Sequence, residues 1–106
     1  MLRLKHRDKS VERRRDKDFV TIGRGDDCGL VVHEEGASRQ HCKIERRKDK
    51  WVLVDLSTNG TYVTIEGDKE MALNREELVL SKKGWITLGQ PRVHAGEVVE
   101  FTLDEK

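Results

Sequence analysis

The amino-acid sequence predicts an all-β protein in which many short, mostly antiparallel strands form a sandwich or barrel. Segments of alternating apolar and polar residues recur about every 8–12 residues, which is typical of such folds. Nine glycines and one proline separate these segments. No stretch shows a clear helical period, because the apolar residues between positions 70 and 80 fit a period of two equally well. The 106 residues suffice for one domain, expected over residues 1–106, and are too few for two.

The alternation pattern gives the expected strands in chain order. In one of these segments Val52, Val54 and Leu56 share one face of the strand. Leu53 and Asp55 share the other face. Turn residues bound the segments, including a turn expected at residues 82–84. The expected strands are residues 2–5, 10–15, 20–22, 30–32, 42–45, 52–56, 85–88 and 98–103, with further period-two pairing within residues 70–80.

The charge balance and the hydropathy pattern exclude several classes of protein. The 21 Lys and Arg residues nearly balance the 20 Asp and Glu residues, so that the net charge is +1. This balance argues against disorder caused by self-repulsion, and against a protein that mainly coats nucleic acid. No apolar run approaches the roughly 20 residues that cross a bilayer, and no apolar segment follows residues 1–6 as in a secretory signal. We therefore expect a cytoplasmic protein without a membrane partner.

The two cysteines, Cys28 and Cys42, are too few for a disulfide framework. Together with the missing signal segment they favour free thiols in a reducing compartment. His33 and His41 complete a Cys/His set, but its spacing lacks the close ligand pair that places two residues on one tetrahedral metal ion. We therefore expect no metal site.

Three polar loops separate the expected strands, at residues 23–27, 36–41 and 57–61. Taken singly, each has an ordinary explanation. Arg24 can be a surface arginine, and Ser38 can satisfy the backbone of its own loop. Asn59-Gly60 alone predicts a hairpin turn, because both residues tolerate positive φ.

Together the three loops supply a guanidinium from Arg24, hydroxyls from Ser38 and Thr58, and a carboxamide from Asn59. A guanidinium grips two phosphate oxygens at once, and a hydroxyl with nearby backbone N–H groups can bind the third. An asparagine side chain can bond both the C=O and the N–H of an extended peptide. Ser38 and His41 lack the oriented acid of a hydrolase, and no carboxylate pair accompanies them. The set is therefore suited to holding a phosphate rather than breaking one, and we expect neither enzyme activity nor a cofactor.

The same residues resemble the signature of the forkhead-associated (FHA) domain, whose usual form is Gly-Arg, Ser-x-x-His and Asn-Gly in this order. The three parts are Gly23-Arg24, Ser38-Arg39-Gln40-His41 and Asn59-Gly60. The resemblance extends over about residues 20–88 and implies an FHA-type (SMAD/FHA-like) β-sandwich of about eleven short strands. A looser resemblance, in residues 75–80 and 84–89, is to FHA domains fused to bacterial adenylate or guanylate cyclases.

The resemblance also implies a role for each site residue in binding phosphothreonine. It implies that Arg24 grips the phosphate and that Ser38 donates its hydroxyl to it. Arg39 adds charge or holds the peptide backbone. Thr58 lines the phosphothreonine pocket, and Asn59 bonds the peptide main chain. The implied scaffold of the site consists of Gly23, His41 and Gly60.

The implied function is that of a phosphothreonine-dependent interaction module in bacterial signalling, whose partner is a Thr-phosphorylated protein or peptide. An attached cyclase or a kinase-pathway protein is a further implied partner. The residues that follow the phosphothreonine are expected to be read around Glu34, Glu35 and Gly36, and by the loop at residues 66–70.

Two alternatives to this function differ in the ligand. The first is an FHA-like module that works without phosphate, in dimerisation or in regulation of an attached enzyme domain. The second is nucleic-acid binding through the basic runs at residues 13–15, 46–48 and 82–83. Those runs alternate with acids, and the chain has only two Trp, two Phe and one Tyr to stack on bases. We therefore expect no nucleic-acid partner.

Overall fold

A computed structural model describes residues 1–104, which form eleven β-strands and no α-helix. The prediction of an all-β fold of about eleven short strands is confirmed. Residues 1–104 contain no helix of the length and hydrophobicity that crossing a bilayer requires. The strands are β1 (Leu2–His6), β2 (Lys9–Arg13), β3 (Phe19–Gly23), β4 (Leu30–Val31), β5 (Cys42–Arg47), β6 (Lys50–Asp55), β7 (Thr61–Ile65), β8 (Met71–Leu73), β9 (Glu77–Val79), β10 (Lys83–Leu88) and β11 (Val99–Leu103).

The strands form two sheets that pack face to face. The six-stranded sheet has the order β2-β1-β11-β10-β7-β8, and the five-stranded sheet has the order β4-β3-β5-β6-β9. Every neighbouring pair is antiparallel except β3 and β4, which run parallel. The chain changes sheet several times, as Greek-key connections in a sandwich require.

The core lies between the two sheets and consists of the inward-facing residue of each alternating pair. On β1 the burial alternates strictly between inward and outward residues, as the sequence pattern predicts. Aliphatic side chains dominate this layer, together with the aromatic residues Trp51 and Phe101, because they pack between pleated sheets with few polar groups to satisfy. The largest completely buried apolar side chains are Leu2, Leu4, Ile22, Leu30, Ile44, Leu53, Ile86, Leu88 and Phe101.

The structure shows which face of β6 points into the core. Leu53 and Asp55 point into the molecule and are 0% and 2% exposed, whereas Leu56 lies just beyond the strand and is 36% exposed. Val52 is buried on the outer face as well. The register places the ion pair between Arg47 of β5 and Glu77 of β9 across this face of β6, over Val52. Burial on both faces therefore hides the period of two.

Two turns differ from the sequence predictions. Asn59-Gly60 does not close a hairpin, because the loop that contains it leaves β6 in the five-stranded sheet and enters β7 in the other sheet. Only Gly60 of this pair has a positive φ, of 90°. The turn before β10 is shorter than expected, since Lys83 and Gly84 already belong to the strand.

Three connections emerge at the same end of the sandwich. β3 ends at Gly23, β5 begins at Cys42 opposite Ile22, and Asp55 at the end of β6 pairs with Cys42. The β3–β4, β4–β5 and β6–β7 loops are therefore neighbours, although they lie far apart in the sequence. These are the three polar loops that the sequence singles out.

Shortening a buried leucine tests the packing between the sheets. We expect Leu53→Ala to lower the free energy of unfolding by about 2–5 kcal/mol, because it removes a fully buried side chain and leaves a cavity. Val93 is 83% exposed in the β10–β11 connection, so Val93→Ala is expected to change stability by less than about 0.5 kcal/mol. Urea denaturation of both variants measures the difference. Equal losses for the two would contradict this packing.

Candidate functional site

Backbone hydrogen bonds hold the β3–β4 and β4–β5 loops together. The N–H of Arg24 donates to the carbonyl of Ser38, and the N–H of Gly25 donates to that of Arg39, both at 3.0 Å. The chains approach so closely that a side chain at Gly23 would collide with the backbone of Arg39 and His41. Glycine is therefore required at position 23, and the loops behave as one surface.

Arg24 lies on this surface with its side chain fixed at one point. Its Nε–H donates to the carbonyl of Ala37 at 2.9 Å. The residue as a whole is exposed, and no described residue forms an ion pair with it. The bond to Ala37 leaves the two terminal nitrogens of the guanidinium available for an anion.

The hydroxyl of Ser38 lies between the β4–β5 and β6–β7 loops. It accepts the backbone N–H of Thr58 at 3.3 Å, so its own proton remains free to be donated. The next side chain, Asn59, donates Nδ2–H to the carbonyl of Gly36 at 2.9 Å. Its Oδ1 and second N–H remain available to a peptide. Four of the predicted site residues, Arg24, Ser38, Thr58 and Asn59, therefore contact the same short segment at residues 36–38 or belong to it.

His41 links the same two loops from beneath. Its Nδ1 accepts the backbone N–H of Ser38 at 3.0 Å, so the ring proton must lie on Nε2, which donates to the carbonyl of Gly60 at 2.7 Å. The ring is fully buried. Burial lowers the pKa of His41, against the opposing effects of the Gly60 carbonyl and the charge of Asp55. The neutral ring is therefore the form that fits.

Asp55 supports the β6–β7 loop, a role that the sequence analysis does not assign to it. Its buried carboxylate accepts the hydroxyls of Ser57 and Thr61 at 2.6 and 2.7 Å, and the backbone N–H of Arg75 at 2.8 Å. Ser57 in turn accepts the N–H of Gly60 at 2.7 Å. Burial raises the pKa of Asp55, but these hydrogen bonds outweigh it and hold the pKa below its ordinary value. The ionised carboxylate thus fixes the β6–β7 loop.

Arg75 is a second residue that holds the β6–β7 loop and to which the sequence analysis assigns no role. It lies in the turn between β8 and β9 with a φ of 58°, and it is exposed. Its Nε–H donates to the carbonyl of Ser57 at 2.9 Å, immediately before Thr58 and Asn59. The looser resemblance at residues 75–80 includes Arg75 but gives it no role, because the contact depends on how the β8–β9 turn packs against the β6–β7 loop.

Arg39 and Glu34 have different surroundings from the other predicted residues. The side chain of Arg39 is exposed at the rim, while its backbone carbonyl accepts the thiol of Cys28 at 3.0 Å. Glu34 is buried, contrary to the expectation that it reads the ligand. Its carboxylate accepts the backbone N–H groups of Gly96 and Glu97, both at 2.9 Å. It therefore ties the β4–β5 loop to the β10–β11 connection instead.

The two thiols lie within the five-stranded sheet and its loops. Cys28 and Cys42 are both buried and unbridged. Burial raises the pKa of each thiol above its ordinary value, so both are held in the protonated form. Among residues 1–104, no cluster of three or more His, Cys, Asp or Glu side chains is arranged to hold a metal ion.

Comparison with known proteins identifies relatives of this fold and of its loops. The family model of the FHA domain matches residues 20–89. FhaB of Mycobacterium tuberculosis and FhaB of Mycolicibacterium smegmatis are both FHA domain-containing proteins, and each is 47% identical over 45 residues. The matched segment is 42% of this chain and 29% of the FhaB chain, so the similarity covers a minor part of the length of these relatives.

Solved structures resemble the whole chain. The FHA domain of FhaA, crystallised with the intracellular domain of Rv3910, superposes with a TM-score of 0.68 at 26% identity, covering 95% of this chain and 99% of the other. The N-terminal FHA domain of Saccharomyces cerevisiae Rad53p, in complex with a phosphothreonine peptide, superposes with a TM-score of 0.70 at 21% identity. That match covers 98% of this chain and 94% of the other. These superpositions confirm the predicted β-sandwich.

Acidification is expected to destabilise the domain through His41. The pKa of this ring is lowered in the folded state, so its stabilising contribution is complete above the ordinary value of 6.5 and is lost as the pH falls below it. We expect the urea midpoint to fall between pH 7.5 and pH 5.5. His41→Gln removes this titration, and its midpoint should fall less over the same interval, from a lower starting value. His94→Gln, at an exposed position, should retain the wild-type dependence, and an unchanged slope in His41→Gln would contradict the assignment.

Proposed function

The chain belongs to the FHA domain family, and we propose that it is an interaction module that binds Thr-phosphorylated proteins or peptides through the loops at one end of its sandwich. FHA domains are interaction modules rather than enzymes. The FhaA and Rad53p domains have been seen with a partner domain and with a phosphothreonine peptide, respectively. For this chain the ligand is our proposal, and it follows from the chemistry of its own loops.

The observation that carries the proposal is the position of Arg24. Its guanidinium is held by the Ala37 carbonyl beside Ser38 and forms no ion pair with any of the described residues. A fixed guanidinium without an internal counter-ion binds a dianion without first breaking a contact. In our proposal Arg24 grips two phosphate oxygens, and the free proton of the Ser38 hydroxyl is donated to the third.

The remaining site residues complete the proposed complex. Arg39 adds positive charge at the rim, and Thr58 lines the pocket beside the threonine methyl group. Asn59 bonds the peptide main chain through its free Oδ1 and N–H. Three or four charge-assisted hydrogen bonds, each worth about 1.5–3 kcal/mol, more than offset the ordering of a flexible peptide. The balance suits a dissociation constant near the micromolar range, which corresponds to a binding free energy of about −8 kcal/mol. The scaffold residues Gly23, His41 and Gly60 hold these groups in place.

The same geometry argues against catalysis. The Nδ1 atom of His41 accepts the backbone N–H of Ser38 rather than its hydroxyl, and Nε2 is occupied by the carbonyl of Gly60. His41 therefore has no free nitrogen with which to activate Ser38 as a nucleophile. We propose a purely binding role for residues 1–106 as a single domain, in a reducing cytoplasm and in bacterial signalling.

Removing the guanidinium tests this proposal directly. We expect Arg24→Ala to weaken binding of a peptide selected from a degenerate phosphothreonine library by about 30-fold or more, which corresponds to about 2 kcal/mol. The matched control Arg15→Ala removes an exposed arginine in the β2–β3 connection and should bind as the wild type does. Isothermal titration calorimetry measures both. Wild-type affinity in Arg24→Ala, or equal binding of the dephosphorylated peptide, would contradict the proposal and favour a phosphate-independent module.

The identity of the phosphorylated residue gives a second test. We expect the phosphothreonine peptide to bind about 5- to 100-fold more tightly than the same peptide with phosphoserine, because the pocket beside Thr58 gains one buried methyl group. Fluorescence anisotropy with matched labelled peptides measures the ratio. Equal affinities would show that no such pocket exists.

A further inference from the structure

We propose that Arg75 forms a second anion-binding position, beside the phosphothreonine site, that reads an acidic side chain of the same phosphopeptide. This inference rests on the proposed function. It adds a specificity element that no loop motif contains. Its basis is the way in which the turn between β8 and β9 is attached to the β6–β7 loop.

Two hydrogen bonds fix the position of Arg75. Its backbone N–H donates to Oδ2 of Asp55 at 2.8 Å, and its side-chain Nε–H donates to the carbonyl of Ser57 at 2.9 Å. The backbone has a φ of 58°. A long flexible side chain is therefore anchored at both ends of its aliphatic stem, which lowers the entropy that binding a ligand would cost.

Arg75 repeats the arrangement of Arg24 at the first residues of the β6–β7 loop. Each arginine donates its Nε–H to a loop carbonyl, that of Ala37 for Arg24 and that of Ser57 for Arg75. In each case the two terminal nitrogens remain free to bind oxygen atoms in a fork. The binding end of the domain thus presents two fixed guanidinium groups rather than one.

The guanidinium of Arg75 forms no close ion pair with a carboxylate of the described residues. Other arginines of the sandwich form close ion pairs, such as Arg47 with Glu77 and Arg3 with Glu12. Arg75 forms none with any residue from 1 to 104. The carboxylate of Asp55 is buried and already accepts bonds from the Ser57 and Thr61 hydroxyls and the Arg75 backbone. An exposed guanidinium in this state favours an external anion.

A bound peptide can reach Arg75. The carbonyl that holds its side chain belongs to Ser57, which directly precedes Thr58 and Asn59 in the proposed binding surface. The end of β8 also packs beneath this loop, since a side chain at Gly60 would stand 3.1 Å from the carbonyl of Leu73. An extended peptide advances about 3.3–3.6 Å per residue, so a side chain within about four positions of the phosphothreonine can approach the guanidinium.

The chemistry of this position favours a carboxylate side chain of the partner. A planar guanidinium with two free terminal nitrogens matches the two oxygens of Asp or Glu. An exposed ion pair of this kind is expected to change affinity by about 2- to 5-fold, less than the effect of the phosphate itself. Arg75 would therefore select among phosphothreonine sequences without replacing Arg24 as the main anchor.

A scan of matched peptides tests the inference. Starting from a peptide selected from a degenerate phosphothreonine library, Asp is compared with Asn, and Glu with Gln, at each of about four positions on either side of the phosphothreonine. We expect the wild type to prefer the acid at one or two neighbouring positions by about 2- to 5-fold. Arg75→Gln should reduce that ratio to about one. The measured quantity is the ratio of the affinities of one protein for two peptides. A general loosening of the loop would weaken both peptides equally and would therefore leave this ratio unchanged.

Two further variants separate this inference from the proposed function. Arg15→Gln makes the same charge change in the β2–β3 connection and should keep the acid preference. Arg24→Ala should weaken the binding of every phosphopeptide, whatever its flanking residues. Loss of binding in Arg24→Ala together with an unchanged acid preference in Arg75→Gln would overturn the role of Arg75 and leave the proposed function standing. An equal loss for acid and amide peptides in Arg75→Gln would reduce Arg75 to a structural role and overturn it as well. If no phosphopeptide bound the wild type, both proposals would fail.

Discussion

The binding surface depends on one neutral imidazole. His41 accepts the N–H of Ser38 with one nitrogen and donates to the carbonyl of Gly60 with the other, so it fixes the separation between two loops that come from different strands. A protonated ring would bring an N–H against the N–H of Ser38, so the tautomer and the loop geometry require each other. Loops that are fixed before a ligand arrives lose little freedom on binding, which leaves more of the interaction energy for affinity.

Much of the fold and of the site could be read from the sequence because both follow local rules. Alternation predicted the inward residues of β1, where one face is buried and the other is exposed. The order of Gly23-Arg24, Ser38 to His41 and Asn59-Gly60 identified the loops, because each short motif sits at the end of a strand. The family match over residues 20–89 agrees with the range of about 20–88 inferred from those motifs. What those motifs bind remains the subject of the proposed experiments.

The rest could not be predicted because it depends on contacts between distant segments. Asp55 lies between Val54 and Leu56 in an alternating segment that gives it no role, and only its inward direction on β6 makes it the acceptor that organises the loop. Arg75 belongs only to the looser resemblance, which gives it no role, and its contact with Ser57 requires the packing of a turn 18 residues away. The sequence around Glu34 predicts an exposed loop residue. In the structure it is buried, because its carboxylate accepts two backbone N–H groups from the other end of the chain. Such residues satisfy hydrogen bonds that the sequence does not display.

The brevity of the outer strands has a consequence for how the domain behaves in a crowded cell. β4 has two residues, and β8 and β9 have three each, so three of the four lateral borders of the sheets offer very few unpaired amides to another chain. The fourth border, β2, carries Lys9, Glu12 and Arg13, which disfavour association along its length. Adventitious strand addition is therefore suppressed on every side. Short or charged borders of this kind lower the tendency of the domain to aggregate through its sheet edges.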